Sequence, residues 1–332
     1  MKENDKNSRR NFLANGLKLG VATATGGLVA ANVLGGNKSD SETPDSGANP
    51  SGEKIKVLTE DGQLIEVDKP SNDCKISPCA PAQGEEARKG IPGRSFVMVI
   101  DLARCKNART CISACQKGHN LAPDQEWLNV SLMKDNAESE PYWFPRQCFH
   151  CDNPPCVKVC PVGATFKRED NLVLVDADRC IGCKFCMVAC PYSARVFHWE
   201  KPPEATVSKE DYSPESSVPA QTGTIGKCDF CPDRSREGKL PHCAEGCPNG
   251  AIYFGDKNED VVSNGQETLK FKELIKERVG YRYMEELGTD PNVYYLPPVE
   301  RMFDYESGFK GVSEEKRKVY EKIVKDANSN TD

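Results

Sequence analysis

The chain has 332 residues, a formal net charge of −6 and 17 cysteines. An acidic chain offers no basic surface of the kind that binds nucleic acid, so we expect no nucleic-acid partner. The cysteines are far more numerous than in an ordinary globular domain, and their spacing therefore holds most of the functional information in the sequence.

The N-terminal segment, residues 1–31, is predicted to be a twin-arginine signal peptide. Residues 8–13 match the twin-arginine consensus in five of six positions and include Arg9-Arg10. A weakly apolar stretch follows over about 17–34, so an uncleaved anchor remains an alternative, as does a chance arginine pair. Because the twin-arginine route transports folded proteins, it suits a protein whose cofactors are inserted before export.

Residues 32–94 are predicted to be a linker that contains a small β-hairpin. Apolar residues alternate on both sides of Asp61-Gly62, which predicts two strands joined by a tight turn. Cys74 and Cys79 lie in a loop of this segment, outside the later cysteine repeats. A disulfide between Cys74 and Cys79 is favoured, while free thiols or a partner contact remain open.

Four groups of cysteines occupy the next segment, residues 95–260. By group they are Cys105, Cys111 and Cys115; Cys148, Cys151, Cys156 and Cys160; Cys180, Cys183, Cys186 and Cys190; and Cys228, Cys231, Cys243 and Cys247. Group three is a full C-x2-C-x2-C-x3-C-P run, in which three cysteines hold one cubane cluster and the fourth serves a second cluster. The groups therefore predict iron–sulfur clusters.

Other uses of cysteine fit this spacing poorly. Zinc ribbons use isolated C-x2-C pairs, whereas each group here has three or four cysteines. Exported proteins favour disulfides, but C-x2-C runs followed by C-x3-C-P make a poor disulfide framework. The sequence also contains no Gly-rich dinucleotide loop, nucleophile motif or haem-attachment C-x-x-C-H, so flavin, nicotinamide and haem are not expected.

The cysteine-rich segment is internally repeated. The run from Ile100 to Cys105 matches the run from Val175 to Cys180, and Cys-Pro-x-Gly/Ser-Ala occurs at Cys160, Cys190 and Cys247. Each copy combines a strand, a cluster loop, a short helix and a strand. We therefore predict an α+β fold of two pseudo-symmetric, double-cluster ferredoxin-like halves, with a β insert and a helical C-terminal extension. The aromatic residues of the insert are expected to pack it: Trp127, Tyr142, Trp143 and Phe144.

This arrangement resembles the four-cluster iron–sulfur subunits of the dimethyl-sulfoxide-reductase superfamily. The resemblance extends over about 95–260, and its motifs are specific. The run from Asp152 to Ala164, with Cys156-Val-Lys-Val-Cys160-Pro, is typical of the family. Members include the subunits of polysulfide reductase and of formate-dependent nitrite reduction.

The resemblance also implies which cysteines act together. It pairs groups one and four in one half, and groups two and three in the other. It implies three [4Fe-4S] clusters, held by Cys148, Cys151, Cys156 and Cys190; by Cys180, Cys183, Cys186 and Cys160; and by Cys228, Cys231, Cys243 and Cys115. For a fourth cluster it leaves Cys105, Cys111 and Cys247.

Ala108 is a departure from the family pattern. It stands where the family has the second cysteine of group one, with two residues between it and each of Cys105 and Cys111. A methyl group cannot bind iron, so the three remaining thiolates favour a [3Fe-4S] cluster. A four-iron cluster with a solvent or external ligand, or an empty site, remain the alternatives.

Residues 261–332 are predicted to be a C-terminal extension. A helix is expected over 267–287, an extended segment over 290–297 and an exposed helix near 313–326. The apolar segment from Val293 to Pro298 is expected either to bind a membrane partner or to close the cluster domain. The four histidines are expected to be packing or solvated residues, with tuning of a cluster as the alternative for His150: His119, His150, His198 and His242.

The resemblance implies an electron-transfer subunit with no catalytic site of its own. It would relay single electrons between a multi-span, quinone-interacting membrane subunit and a redox partner, either a molybdopterin enzyme or a multihaem cytochrome. It would act in the periplasm or on the outer face of the cytoplasmic membrane. A free-standing periplasmic ferredoxin and an iron–sulfur redox sensor are the alternatives.

Overall fold

The computed structural model describes the backbone of 54–58 and 64–68, and then residues 84–136, 138–201 and 212–326. The chain divides into two units, Met1–Ser71 and Asn72–Asp332. The predicted signal peptide and the proposed Cys74–Cys79 bridge lie outside the described residues.

The first unit contains the two strands of the expected hairpin. They are β1 (Lys54–Leu58) and β2 (Leu64–Asp68), which pair antiparallel with Ile55 opposite Val67. The two strands predicted on either side of Asp61-Gly62 are therefore present and paired.

The second unit is a set of small sheets joined by short helices. Its strands are β3 (Phe96–Asp101), β4 (Asn129–Met133), β5 (Tyr142–Arg146), β6 (Thr165–Lys167), β7 (Val173–Val175), β8 (Val196–Phe197), β9 (Ile225–Gly226), β10 (Ile252–Asp256), β11 (Val261–Ser263), β12 (Thr268–Lys270) and β13 (Val293–Leu296). Its helices are α1 (Gly84–Lys89), α2 (Thr110–Gly118), α3 (Pro155–Lys158), α4 (Phe185–Val188), α5 (Pro232–Arg236), α6 (His242–Glu245), α7 (Phe271–Glu277) and α8 (Glu314–Asp326). No helix among these described residues is long and apolar enough to cross a membrane.

A five-stranded sheet, in the order β12-β11-β10-β3-β13, organises this unit. Strand β3, which lies between β10 and β13, is buried along its whole length, because it is apolar on both faces until Asp101. Val97 and Val99 face a small core completed by α7. Met98 and Ile100 face the main core, which also contains many of the cysteine thiols. The sheet therefore supports the cysteine loops on one of its faces.

Two strand pairs carry matching contacts. In β3 and β10 the Asp101 N–H donates to Ala251 O, and beside β6 and β7 the Asp176 N–H donates to Ala164 O, both at 2.8 Å. Helix α2 contacts α6 in the first case, and α3 contacts α4 in the second. Asp101 and Asp176 each also form an ion pair with the arginine three residues later. The sequence repeat therefore corresponds to a repeated local structure.

The insert between groups one and two is the hairpin β4–β5, with Leu132 opposite Trp143. The prediction that its aromatic residues pack the insert is confirmed, since the following are all buried: Trp127, Tyr142, Trp143 and Phe144. Trp143 also contacts the C-terminal extension, because its ring lies edge-on to Phe309 and Tyr320.

The single helix predicted over 267–287 is wrong. Residues Thr268–Lys270 instead pair with β11 at the edge of the sheet, α7 follows, and only Glu285–Leu287 form a further 3-10 turn. Val279 has φ 51°, a left-handed conformation in which an α-helix does not continue. The exposed helix near 313–326 is confirmed as α8.

Strand β13 decides the role of the segment from Val293 to Pro298. It pairs parallel to β3, with Tyr295 opposite Ile100. Val293, Tyr295 and Leu296 are 0% exposed. The segment therefore closes the cluster domain, and these three side chains are not available to bind a membrane partner.

Candidate metal centres

All fifteen cysteines among the described residues are free, with no disulfide between them. Their mutual interactions define four sets, and three of these sets combine cysteines from two sequence groups. We name each set by one of its members: the Cys148 set, the Cys228 set, the Cys105 set and the Cys180 set.

The Cys148 set lines one cavity. The four predicted thiols lie around it, three from group two and one from group three: Cys148, Cys151, Cys156 and Cys190. The rest of the lining is mostly apolar and includes Phe149, Val173 and Tyr192. Burial raises the pKa of Cys151 to about 12, and the three neighbouring thiols raise it as well.

The Cys228 set is the most deeply buried. It consists of Cys228, Cys231, Cys243 and Cys115, so α2 of group one supplies its fourth thiol. Burial raises the pKa of Cys115, Cys228 and Cys231 well above the ordinary range, and the thiols of the set raise each other's pKa. Four neutral thiols crowded together away from water are the arrangement that a metal cluster can convert to bound thiolates.

The Cys105 set contains three thiols. Burial raises the pKa of Cys105 and of Cys111 to about 12, and both also interact with Cys247. The Cys247 sulfur accepts a hydrogen bond from the Ala251 N–H at 3.3 Å. Ala108, at the position of the missing cysteine, is exposed.

The Cys180 set lies at the surface of the domain. Cys180 interacts with Cys186, while Cys183 is exposed. The loop that follows Cys160 is tied to the segment leading to Cys180, because Ala164 O accepts the N–H of Asp176, four residues before Cys180. Burial raises the pKa of Cys160, but the N–H groups of Thr165, Val162 and Ala164 outweigh it, and the pKa is lowered.

The four sets follow one another in a row. Cys111 of the Cys105 set interacts with Cys115 and Cys243 of the Cys228 set. Cys228 in turn interacts with Cys148 of the next set. Cys156 of the Cys148 set interacts with Cys186 of the Cys180 set. The order is therefore the Cys105, Cys228, Cys148 and Cys180 sets.

The spacing of the sulfur atoms fits multi-iron clusters better than single zinc ions. In the described part of the chain, no three cysteine sulfurs lie within 4.8 Å of one another. Tetrahedral Zn²⁺, with Zn–S bonds of about 2.3 Å, would bring its sulfurs to about 3.8 Å from each other. A cubane, which spreads its thiolates over several irons, holds them further apart.

Comparison with known proteins supports this chemistry. The 4Fe-4S dicluster domain family matches residues 139–208 and 215–257. A selenate reductase subunit of Mesobacillus selenatarsenatis is 34% identical over 317 residues, which cover 89% of this chain and 99% of the relative. The chain belongs to this family of iron–sulfur subunits of reductases.

Two further relatives match over most of their own length. The menaquinone reductase iron–sulfur cluster-binding subunit of Nitratidesulfovibrio vulgaris is 38% identical, covering 60% of this chain and 87% of the relative. A tetrathionate reductase subunit of Salmonella typhimurium is 34% identical, covering 74% and 85%. This iron–sulfur subunit is thus an electron-transfer protein that holds [4Fe-4S] clusters.

His150 joins the two inner sets of the iron–sulfur subunit, and its contacts are not visible in the sequence. Its Nδ1 accepts the Val173 N–H at 3.0 Å, so Nε2 carries the proton and donates to Cys228 O at 3.0 Å. The ring stacks on Phe230 with centroids 3.9 Å apart. Burial lowers the pKa of His150 well below its ordinary value, so it is neutral and packs between the sets.

His119 is a second residue whose place the sequence does not reveal. Its Nε2 lies 3.4 Å from the Cys231 sulfur and 3.6 Å from Asp229 Oδ1. Asp229 also accepts the Cys231 N–H at 2.8 Å, so both side chains hold the loop of the Cys228 set. His198 contacts Gln125 through its Nδ1, and His242 lies edge-on to His119.

Proposed function

We propose that this subunit relays single electrons along a row of four clusters, between a quinone-interacting membrane subunit and a catalytic redox partner. The linear order of the thiol sets carries this proposal. The two inner sets are buried, whereas the outer sets have an exposed loop position, Ala108 at one end and Cys183 at the other. Electrons can therefore enter at one end and leave at the other.

We also propose the cluster types and the ligands. The Cys148, Cys180 and Cys228 sets each offer four thiolates for a [4Fe-4S] cluster, and the Cys105 set offers three for a [3Fe-4S] cluster. The matching hydrogen bonds of Asp101 and Asp176 support two pseudo-symmetric ferredoxin-like halves.

The protein positions and shields the clusters, which when bound supply one-electron oxidation and reduction. Apolar side chains such as Phe149, Val173 and Tyr192 exclude water from the Cys148 set. Backbone N–H groups donate to sulfurs, as at Cys160 and Cys247. Such hydrogen bonds and burial are among the levers by which a protein sets a cluster's potential.

The exposed end beside Cys183 suits a permanent protein interface. Ile181, Phe185 and Val188 around it are 63%, 60% and 88% exposed. Obligate interfaces are more hydrophobic than the rest of a protein surface. These side chains support a partner at this end of the row.

The nature of the relatives supports the choice of partners. One relative is a subunit of a menaquinone reductase and another of a selenate reductase. We therefore propose a multi-span membrane partner for the quinone side, and a molybdopterin enzyme or multihaem cytochrome for the other. We propose export by the twin-arginine route to the periplasm, on the basis of Arg9-Arg10.

Anaerobic purification under gentle extraction tests the proposal. We expect on the order of 15 iron atoms per chain, four distinguishable clusters in redox titrations monitored by electron paramagnetic resonance, and co-purification with a membrane protein. A fully loaded protein recovered alone in the soluble fraction would support the free-standing ferredoxin instead. Binding to nucleic acid or to an effector protein would support a redox sensor.

A further inference from the structure

Arg195 is a charged residue in a position that is uncharged in the other copies of the repeat. It lies five positions after Cys190, and the same offset from Cys160 and Cys247 gives Thr165 and Ile252. Of the three copies of Cys-Pro-x-Gly/Ser-Ala, the one at Cys190 thus has a cation at the position where the chain returns to the core.

This cation is almost completely buried. Arg195 is 4% exposed. One terminal nitrogen donates to Thr165 Oγ1 at 3.1 Å, and the other, Nη2, has no hydrogen-bond partner. Within the described residues, no carboxylate forms an ion pair with it. Burying a cation without an anion is costly, so an anion is expected beside it.

The groups around the guanidinium are cysteine sulfurs. Arg195 lines the same cavity as the four thiols of the Cys148 set. The groups that favour its charge are Cys156 and Cys148, which belong to that set, and Cys186, which belongs to the Cys180 set. The guanidinium therefore lies between two adjacent sets.

We infer that Arg195 is the shared counter-charge of the clusters in the Cys148 and Cys180 sets, and that it raises the reduction potential of both. This inference rests on the proposed function. A cluster bound by cysteine thiolates is anionic, and reduction adds a further negative charge. In surroundings that exclude water, a nearby cation stabilises the reduced state more than the oxidised one.

Replacing Arg195 by methionine tests this inference in the full-length, loaded subunit. Methionine fills a similar volume without charge. We expect the signals of these two clusters to titrate at more negative potentials, and those of the Cys105 and Cys228 sets to stay unchanged. Arg195→Lys, which keeps the charge, should restore most of the difference.

Arg179→Met is the matched control. Arg179 precedes Cys180, but its side chain is 50% exposed and pairs with Asp176. Water screens an exposed charge, so its loss should move the potentials much less. Equal shifts in the two variants, or no shift in a fully loaded Arg195→Met protein, would overturn the inference.

Iron content separates this inference from the proposed function. Wild-type protein without four clusters would refute the proposed function, whereas loaded wild type with an unshifted variant would refute the role of Arg195 alone. If Arg195→Met binds less iron, Thr165→Val decides, because it removes the hydroxyl that holds the guanidinium. Because the Thr165 side chain also hydrogen-bonds Cys160, the signal of the Cys148 set is the readout: a shift of that signal supports the inference, and no shift of it overturns the inference.

Discussion

Arg109 and Lys184 share one backbone conformation, with φ 61° and ψ 1° in the first and φ 65° and ψ 2° in the second. Each stands immediately before a cluster helix, α2 or α4. A left-handed conformation is uncommon for residues other than glycine, so its recurrence marks equivalent positions in the two copies of the sequence repeat. The preceding residues, Ala108 and Cys183, are therefore equivalent as well.

Ala108→Cys should convert the Cys105 set to a four-iron site. The new thiol would stand where Cys183 stands in the other half, and Ala108 is exposed, so the fold has room for it. The paramagnetic signal of an oxidised three-iron cluster, expected in the wild type, should disappear, and iron content should rise by one atom per chain. The new cysteine is protected in the folded protein if it reacts with an alkylating agent only after unfolding. If the three-iron signal persists in such a protein, the equivalence of Ala108 and Cys183 is wrong.

Cys183→Ala should produce the reverse change in the Cys180 set. Removing the exposed thiol leaves three ligands, so a second three-iron signal should appear, and one iron atom should be lost. Because Cys183 is exposed, the global stability should change little. In the double variant with Ala108→Cys, one three-iron signal should remain, and a protein with none or with two would contradict the assignment.

Deleting residues 289–332 should abolish cluster binding, because it removes β13 from the edge of the main sheet. Deleting 313–332 instead removes α8 and the residues after it, and should leave most clusters in place. Clusters retained in the longer deletion would show that β13 is dispensable.

Tyr295→Ala should lower the free energy of unfolding by about 3–5 kcal/mol, as for other large buried residues. Tyr295→Phe should lower it by about 1 kcal/mol, which is the value of the hydrogen bond from Tyr295 to Pro145 O.

His198 should make the protein less stable as the pH falls. Burial lowers its pKa in the folded state below the unfolded value of about 6.5. Below that pH the unfolded chain binds a proton that the folded protein does not, so stability present above about pH 6.5 is lost as the pH falls toward the folded pKa. At pH 5.5 this contribution is about 1.4 kcal/mol at most.

Thermal unfolding under anaerobic conditions at pH 7.5 and 5.5 measures this effect. The melting temperature should fall less in His198→Gln than in the wild type, since glutamine can still donate to Gln125 and does not titrate. An equal fall of the melting temperature in both proteins would show that His198 does not cause the loss of stability at low pH.

Replacing Arg9-Arg10 by two lysines should leave the protein in the cytoplasm with its clusters intact. The twin-arginine route requires the arginine pair, whereas cluster binding depends on cysteines far along the chain. Cell fractionation with iron analysis measures both. Continued export of the double variant would refute this route.

The sequence predicts the cysteine loops well, because ligand spacing is a local property that the chemistry of the cluster demands. It also predicts the edges of these loops, since Asp101 and Asp176 stand at the same place in both repeats. The single helix predicted over 267–287 is wrong, because pairing with β11 outweighed the helical pattern at Thr268. The burial of Arg195 and His119 depends on chain segments distant in sequence, and no local pattern reports it.

The exchange of cysteines between groups has a consequence for the timing of assembly during protein synthesis. Every ligand proposed for the Cys148 and Cys180 sets has been synthesised once translation passes Cys190. The Cys228 set waits for Cys243, and the Cys105 set, whose first ligand is the earliest of all, waits for Cys247. The ligands of the Cys148 and Cys180 sets are thus complete while the chain is still on the ribosome, and those of the other two sets are completed last. A twin-arginine signal is synthesised first, so export would then have to be delayed until Cys247 has joined Cys105 and Cys111.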